Sequence, residues 1–330
     1  MIAVARPSWQ TELANAYREP SALLRALDLP ANTGLGKHPH WASFSLRVPR
    51  GFVARMRKGD PHDPLLRQVL PGLEEGIPSP CFSQDPVADL AAMPVPGLIH
   101  KYRGRVLLLA TRACAVHCRY CFRRHLPPAL AGLTKDHWHR AVHYIEANPT
   151  ISEVILSGGD PLSLTDEKLA LLTSELAHIP HLKRLRVHSR LPIVLPERVT
   201  DTLLEWLCAL PLSPVMVLHV NHPNEFDDSV TAALKRLKNT NVTLLNQSVL
   251  LQGVNDSVAT LARLSETLFA AGALPYYLHL LDWVQGAAHF EVPEDRAREI
   301  LRGLRAELPG YLVPKLVREI PGSPSKLPVG

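Results

Sequence analysis

Three cysteines fall within eight residues in the stretch Thr111-Arg112-Ala113-Cys114-Ala115-Val116-His117-Cys118-Arg119-Tyr120-Cys121. Thiolates at this spacing can converge on one side of a cubane [4Fe-4S] cluster and leave the fourth iron without a protein ligand. An iron with open sites can chelate the amino and carboxylate groups of S-adenosylmethionine (SAM) and pass an electron to its sulfonium. Tyr120, just before the last cysteine, would pack near the adenine. The competing reading is a zinc site completed by His117 or His125. Zinc sites favour a second ligand pair farther along the chain, and neither Cys81 nor Cys208 has a paired neighbour. Those two cysteines read as ordinary small residues.

A second group of small and polar residues is Leu156-Ser157-Gly158-Gly159-Asp160-Pro161. Glycines at a strand exit let the backbone approach a ligand closely and offer polar groups to it. Here that ligand would be the amino group of SAM. A Gly-Gly pair alone usually marks only a tight turn; its place after a cysteine loop and at the end of an apolar run gives it more weight.

Such residues need a scaffold, and the chain from Arg105 onward supplies an alternation. Short apolar, β-branched runs occur at 106–110, 153–156, 184–187, 215–220, 242–245 and 276–281. Helix-length amphipathic segments occur at 134–147, 165–178, 197–210, 226–238, 257–271 and 293–308. Runs buried on both faces that alternate with helices predict βαβ units and a parallel sheet. Each run ends in polar or small residues: the cysteine loop, Ser157 to Asp160, His188-Ser189-Arg190, His219 with Asn221-His222, Asn246-Gln247-Ser248, and Asp282. Active sites form at the carboxyl ends of parallel strands, so these exits predict one shared site. The first 95 residues differ, with helical fragments at 11–26 and 51–58 and then Pro-rich connections. The expected fold is α/β: a partial (βα)6 barrel over residues 96–310, an N-terminal helical region over 1–95, and a short C-terminal tail over 311–330.

Composition narrows the class. The chain has 330 residues, 46% apolar and 20% charged, with a formal net charge of +5. That excess suits anionic ligands, but it is not gathered into a basic tract, so no nucleic-acid partner is expected. Five cysteines, three of them clustered, argue against a secreted disulfide framework and for a metal site in a reducing compartment. No signal peptide and no membrane-length apolar run is evident. A soluble, cytoplasmic protein without membrane association is the expectation.

The segments Leu46-Arg47-Val48-Pro49-Arg50, Asp63-Pro64-Leu65-Leu66-Arg67-Gln68, Pro96-Gly97-Leu98-Ile99-His100-Lys101-Tyr102, Cys118 to His125, Leu245 to Leu251, and Asp282 to Phe290 together carry a resemblance that runs nearly end to end. The sequence resembles the lysine 2,3-aminomutase family of radical SAM enzymes, and within it the bacterial aminomutases that serve β-lysylation of elongation factor P. The resemblance implies an isomerase, an intramolecular aminotransferase using a [4Fe-4S] cluster, SAM and pyridoxal 5′-phosphate (PLP). The metal ligands would be Cys114, Cys118 and Cys121. PLP would be bound through Lys326, in Pro321-Gly322-Ser323-Pro324-Ser325-Lys326-Leu327-Pro328, a catalytic lysine that without the family would read as a solvated tail residue. Lys101 and Arg105, with Tyr102 adjacent, would hold the phosphate; Lys101 departs from the arginine of the catabolic aminomutases but keeps the charge. Ser157, Gly158, Gly159, Asp160 and Gln247 would contact SAM.

For the substrate, L-lysine, the resemblance implies Arg123 on the carboxylate, and Asp282 and Glu319 on the far ammonium. Glu319 stands where the catabolic enzymes have aspartate. An acid at Asp282 favours a cationic substrate and would repel glutamate. The implied product is β-lysine, in the R form, which a separate ligase attaches to elongation factor P. An electron donor such as flavodoxin or ferredoxin is implied as well. The chain stops at Gly330 without the zinc-carrying extension of the catabolic enzymes, so neither a zinc requirement nor their intertwined tetramer is expected. The alternatives are a catabolic or biosynthetic lysine 2,3-aminomutase, a radical SAM enzyme without PLP, and a non-enzymatic zinc module.

Overall fold

The computed structural model describes residues 8–30, 44–130, 132 and 134–330. The predicted helical stretch at 11–26 is two helices, α1 (Trp9–Ala14) and α2 (Pro20–Ala26). Pro20 is the reason: it holds Glu19 in an extended conformation and sits at the first helical position of α2, where a proline has no hydrogen bond to lose. The fragment at 51–58 shortens to α3 (Arg50–Val53), and Asp63 caps a further short helix, α4 (Pro64–Arg67), by accepting from the backbone N–H of Leu65 and Leu66.

Among the described residues, nine strands form one sheet in sequential order: β1 (Leu98–Tyr102), β2 (Arg105–Thr111), β3 (Glu153–Gly158), β4 (Arg184–Ser189), β5 (Ser213–His219), β6 (Thr243–Val249), β7 (Leu274–His279), β8 (Lys315–Arg318) and β9 (Leu327–Pro328). Every pair from β2 to β8 is parallel, while β1 and β9 add antiparallel edges. The parallel strands are joined through α5 (Lys135–Glu146), α6 (Asp166–Ala177), α7 (Leu191–Val194), α8 (Asp201–Ala209), α9 (Asp228–Lys238), α10 (Val258–Ala270) and α11 (Glu294–Glu307). The α/β expectation of an open barrel of six βα units is met by β2 to β7.

The helices begin where the sequence provides caps. Thr134, Thr200, Asp227 and Ser257 each accept a backbone N–H in the first turn of the helix that follows. A capping residue lies outside the helix, so α5 and α10 begin one residue inside the predicted ranges. Each helix then buries a stripe, such as Val230, Ala233, Leu234 and Leu237 of α9 or Ala297, Ile300, Leu301 and Leu304 of α11. Burying one such leucine is worth about 2 kcal/mol, so packing on the sheet holds these helices more than propensity does.

Strands β1, β8 and β9 were not among the predicted runs. β1 returns on β2 through Arg103-Gly104, with Gly104 at φ +82°, a backbone conformation glycine adopts at little cost. β8 and β9 take the predicted C-terminal tail into the sheet, with Leu316 to Val317 buried against β7. Among the described residues, no helix is long and apolar enough to cross a membrane.

Candidate active site

Side chains alternate across a strand, and here the alternation leaves one set pointing into the open barrel. Ser157, Arg186 and His188, His219, Gln247, and Tyr277 and His279 come from β3 to β7 and line one cavity of about 760 Å³. The register places them at matching heights, with His219 beside Gln247 and Gln247 beside Tyr277. The loops at the carboxyl ends supply Cys114, Cys118, Cys121, Arg123, Asp160, Arg190 and Asp282, and the connection between β8 and β9 supplies Glu319 and Lys326. All the residues assigned a site role from the sequence, Lys101, Tyr102, Arg105, Gly158 and Gly159 included, line this cavity. Of the other polar strand exits, Asn221 and Asn246 are buried in the fold instead, hydrogen-bonding Gln68 and Tyr120, and Val220, respectively.

The cysteine loop leaves β2 and is fixed from two sides. The N-terminal region grips it where Arg47 donates to the Cys114 carbonyl at 3.1 Å, His117 N–H to the Arg47 carbonyl at 3.0 Å, and Arg119 N–H to the Gln68 carbonyl at 2.8 Å. The buried Glu75 carboxylate pairs with Arg119 and Arg124 at 2.5 and 2.6 Å. From the barrel side, Gly159 N–H donates to the Thr111 carbonyl and Asp160 N–H to the Ala113 carbonyl, both at 2.7 Å. A Cβ on Gly159 would lie 2.4 Å from the Ala113 carbonyl oxygen, and one on Gly158, at φ +113°, would lie 2.8 Å from that of Thr111. These glycines therefore let two backbones lie against each other. The Asp160 carboxylate accepts from Leu162 N–H, Ser189 Oγ, Arg190 N–H and Leu191 N–H, so it organises the β4 exit; burial nonetheless pushes its pKa up to about 6.

The donor set suits an iron–sulfur cluster. The three cysteines are free thiols; burial, and then the negative charge of the other thiols, pushes up Cys114, and does so for Cys121, to about 11. Cationic metal would reverse that balance and favour thiolates. Among the described residues, no three His, Cys, Asp or Glu side chains converge closely enough for a single ion. Thiolates on one zinc stand about 4 Å apart, given Zn–S bonds of about 2.3 Å; a cubane spreads its ligands wider. Of the histidines weighed for zinc, His117 has its Nδ1 2.7 Å from the Ser45 carbonyl and His125 its Nε2 3.0 Å from that of Gln285, which leaves each one other ring nitrogen.

The same cavity holds a chain of buried ion pairs. Arg123 Nε donates to Asp89 at 2.7 Å, Lys101 Nζ lies 2.5 Å from Asp89 and 2.9 Å from Glu319, and Lys326 Nζ lies 2.5 Å from the other oxygen of Glu319. Burial works against Glu319, but Lys326 and Lys101 prevail and hold its pKa down at about 2. Asp89 behaves alike: burial is outweighed by Arg123 and Lys101, which keep it below the usual carboxylate range. Asp282 is the opposite case. Burial pushes it up to about 7, only partly countered by Lys326. Two carboxylates of one cavity are thus driven apart, the pattern of an acid held charged beside one that lacks a cation.

This region also fits a phosphate-bearing aldehyde. Arg105 lies over the Tyr102 ring at 4.6 Å and forms no salt bridge among the described residues, so its charge is available to an anion. His188 is driven well below its ordinary value by burial and then by the charges of Arg186 and Lys326, and its Nε2 is buried without a partner among the described residues. A buried donor or acceptor in that state calls for a ligand atom. Asp89, Arg186, Tyr277 and His279 were missed as site residues. For the three strand residues, polar side chains every second position in apolar runs were the available signal. Asp89 lies in the irregular Pro-rich connection and offered none.

Comparison with known proteins bears on the same residues. Positions 108–264 match the family model described as the Radical SAM superfamily. Over 98% of this chain and 95% of the relative, the sequence is 51% identical to the L-lysine 2,3-aminomutase of Escherichia coli. The enzyme of that name from Haemophilus influenzae is 49% identical over 97% of this chain and 94% of its own. The one from Clostridium subterminale is 35% identical over 97% of this chain and 77% of its own.

Proposed function

The chain belongs to the lysine 2,3-aminomutase family of radical SAM isomerases, and on that footing we propose that it moves the α-amino group of L-lysine to C3, giving β-lysine, in the cavity between the cysteine loop and Lys326. The observation that carries the reading is the joining of both halves in one cavity, which three thiols line together with Lys326 and an Asp282 whose pKa burial pushes up to about 7. When bound, the cluster with SAM supplies a carbon radical able to take an unactivated hydrogen, and PLP supplies a conjugated system that spreads an unpaired electron.

The chain's own residues do the holding. Arg123, its Nε fixed by Asp89, presents the remaining edge of its guanidinium to the substrate carboxylate. Asp282 receives the far ammonium, whose charge favours the ionised carboxylate. Lys326 anchors the cofactor aldehyde, with Arg105 and Lys101 toward its phosphate. The strands around the cavity exclude water, which protects a reactive radical from side reactions.

We assign the product to the R series and its use to the modification of elongation factor P by a separate ligase; the support is the end-to-end resemblance carried by the six segments quoted above. The test is anaerobic incubation of reconstituted enzyme with SAM, PLP, dithionite and L-lysine, followed by chiral analysis of the amino acid. β-Lysine in the R form is expected, and its transfer to elongation factor P when the ligase is added. Conversion of a different amino acid in preference to lysine would overturn the assignment.

A further inference from the structure

A cation hydrogen-bonded to one of the cysteine thiols belongs to none of the roles above. Arg190, at the exit of β4, is 6% exposed, and its Nη1 donates to Cys118 Sγ at 2.8 Å. Its position is over-determined. Nη1 also donates to Tyr120 Oη at 2.7 Å, while Nη2 donates to Gln68 Oε1 at 2.7 Å and to Glu225 Oε2 at 3.0 Å. The backbone N–H of Arg190 is held by Asp160 at 2.7 Å.

The partners are fixed in turn. The fully buried Glu225 accepts through Oε1 from the backbone N–H groups of Asn221 and His222 and from Gln68 Nε2. Gln68 Oε1 accepts also from Asn221 Nδ2 at 3.0 Å. Tyr120, whose ring packs edge-on against Phe290, is buried with its hydroxyl inside this network. Arg190 lines the cavity, and its Nε is buried without a partner among the described residues. A fixed cation therefore sits against one thiol, with a fixed anion on its far side.

We propose that the Arg190–Glu225 pair sets the reduction potential of the cluster, Arg190 raising it through its hydrogen bond to the Cys118 sulfur and Glu225 limiting the rise. The inference rests on the reading of Cys118 as a cluster ligand. Reduction adds one electron from an external low-potential donor and neither makes nor breaks a bond in the protein. The added negative charge is stabilised by a nearby cation and by hydrogen bonds to sulfur, and both effects grow in a buried site. The network keeps the guanidinium from swinging toward solvent, so it contributes without reorganising. Arg190 is a positioning and tuning residue; the chemistry stays with the cluster.

The test is an EPR-monitored redox titration of the anaerobically reconstituted enzyme without lysine, with iron and labile sulfide measured on each sample. Arg190→Gln should lower the potential, changing the ratio of reduced to oxidised cluster at fixed donor potential about tenfold, which is 59 mV for a one-electron couple. Arg190→Lys should recover most of that shift. Glu225→Gln, which leaves the guanidinium but removes its anion, should move the potential the other way. A merely structural role would not give shifts of opposite sign. Variants with full iron and sulfide and an unchanged potential would overturn the inference and leave the cluster reading intact. If Arg190→Gln does not assemble a cluster, the Arg190→Lys and Glu225→Gln values decide: a fall or no change in Glu225→Gln refutes the tuning role. Wild-type protein that takes up no labile sulfide would instead overturn the cluster reading itself.

Discussion

Asp282→Asn should give a protein that is more stable without lysine and poor at using it. Burial raises this carboxyl from an ordinary 3.8 to about 7, so between those values the folded chain holds a proton that the unfolded chain has released. Stability contributed by this group therefore falls as pH rises from about 4 to about 7 and is level above that. At about 1.4 kcal/mol per pH unit, the charge costs the fold ~4 kcal/mol at pH 8 and ~1.5 kcal/mol at pH 5. A neutral amide of the same shape avoids the cost. With an unfolding entropy of about 2.1 cal/mol/K per residue over 330 residues, the gain at pH 8 corresponds to a rise in Tm of about 6 °C. Lysine should pay the other side of the exchange: loss of a charge-assisted contact of about 1.5–3 kcal/mol raises its KM roughly 10- to 100-fold. Anaerobic thermal unfolding of wild type and variant, without lysine, at pH 8 and pH 5 checks the first part. A variant no more stable at pH 8, or equally stabilised at both pH values, would refute the argument that Asp282 is an uncompensated buried acid.

Four further outcomes follow from the same geometry. Lys326→Ala should abolish the visible absorbance of lysine-bound cofactor and turnover together, while cluster content stays near wild type by iron and sulfide analysis. Asp89→Asn removes the anion that fixes Arg123, and leaves two buried cations less well paired; KM for lysine should rise about tenfold or more, with a smaller change in kcat, in steady-state assays. Gly159→Ala forces a Cβ to 2.4 Å from the Ala113 carbonyl, so reconstituted iron should fall well below that of wild type although the far-ultraviolet circular dichroism is kept. Leu234→Ala, on the buried face of α9 and outside the cavity lining, should cost about 2–5 kcal/mol of stability in denaturant titration without changing KM.

The parallel strands were legible because strands buried on both faces show apolar runs, and the helices because amphipathic segments of helical length lie between those runs. The cysteine loop and the Gly-Gly exit were legible by type and spacing, but their relation was not. That Gly158 and Gly159 are small so that the β3 exit can lie against the cysteine loop follows only from their contacts with Thr111 and Ala113. β8 was hidden by its length, four residues closed in by Pro314 and Pro321, and with it the means by which Glu319 and Lys326 reach the barrel interior. Asp89 was hidden for a different reason. An irregular connection carries no period from which a buried acid can be distinguished from a solvated one, and its burial depends on Lys101 and Arg123, distant in sequence.

The ion-pair chain has a consequence for how the site accepts its ligands. Among the cations that line the cavity, Arg123, Lys101, Lys326 and Arg105 stand with Asp89, Glu319 and, once ionised, Asp282. Arg105 is open to an anion, but Arg123, Lys101 and Lys326 already hold carboxylates, so a phosphate or a substrate carboxylate that reaches them has to exchange partners. Lys326 is the sharpest case: its Nζ must leave Glu319, at 2.5 Å, before it can bond to a carbonyl carbon. Glu319 holds Lys101 as well, so a phosphate that draws Lys101 away loosens the same carboxylate. Removing that carboxylate should release Lys326 and leave Lys101 held by Asp89 alone. Glu319→Gln is therefore expected to take up PLP faster than wild type in stopped-flow absorbance at equal cofactor concentration, even if its later turnover is impaired. Slower or unchanged uptake would show that Glu319 guides the lysine to the cofactor, and that the pair is not a barrier to be broken.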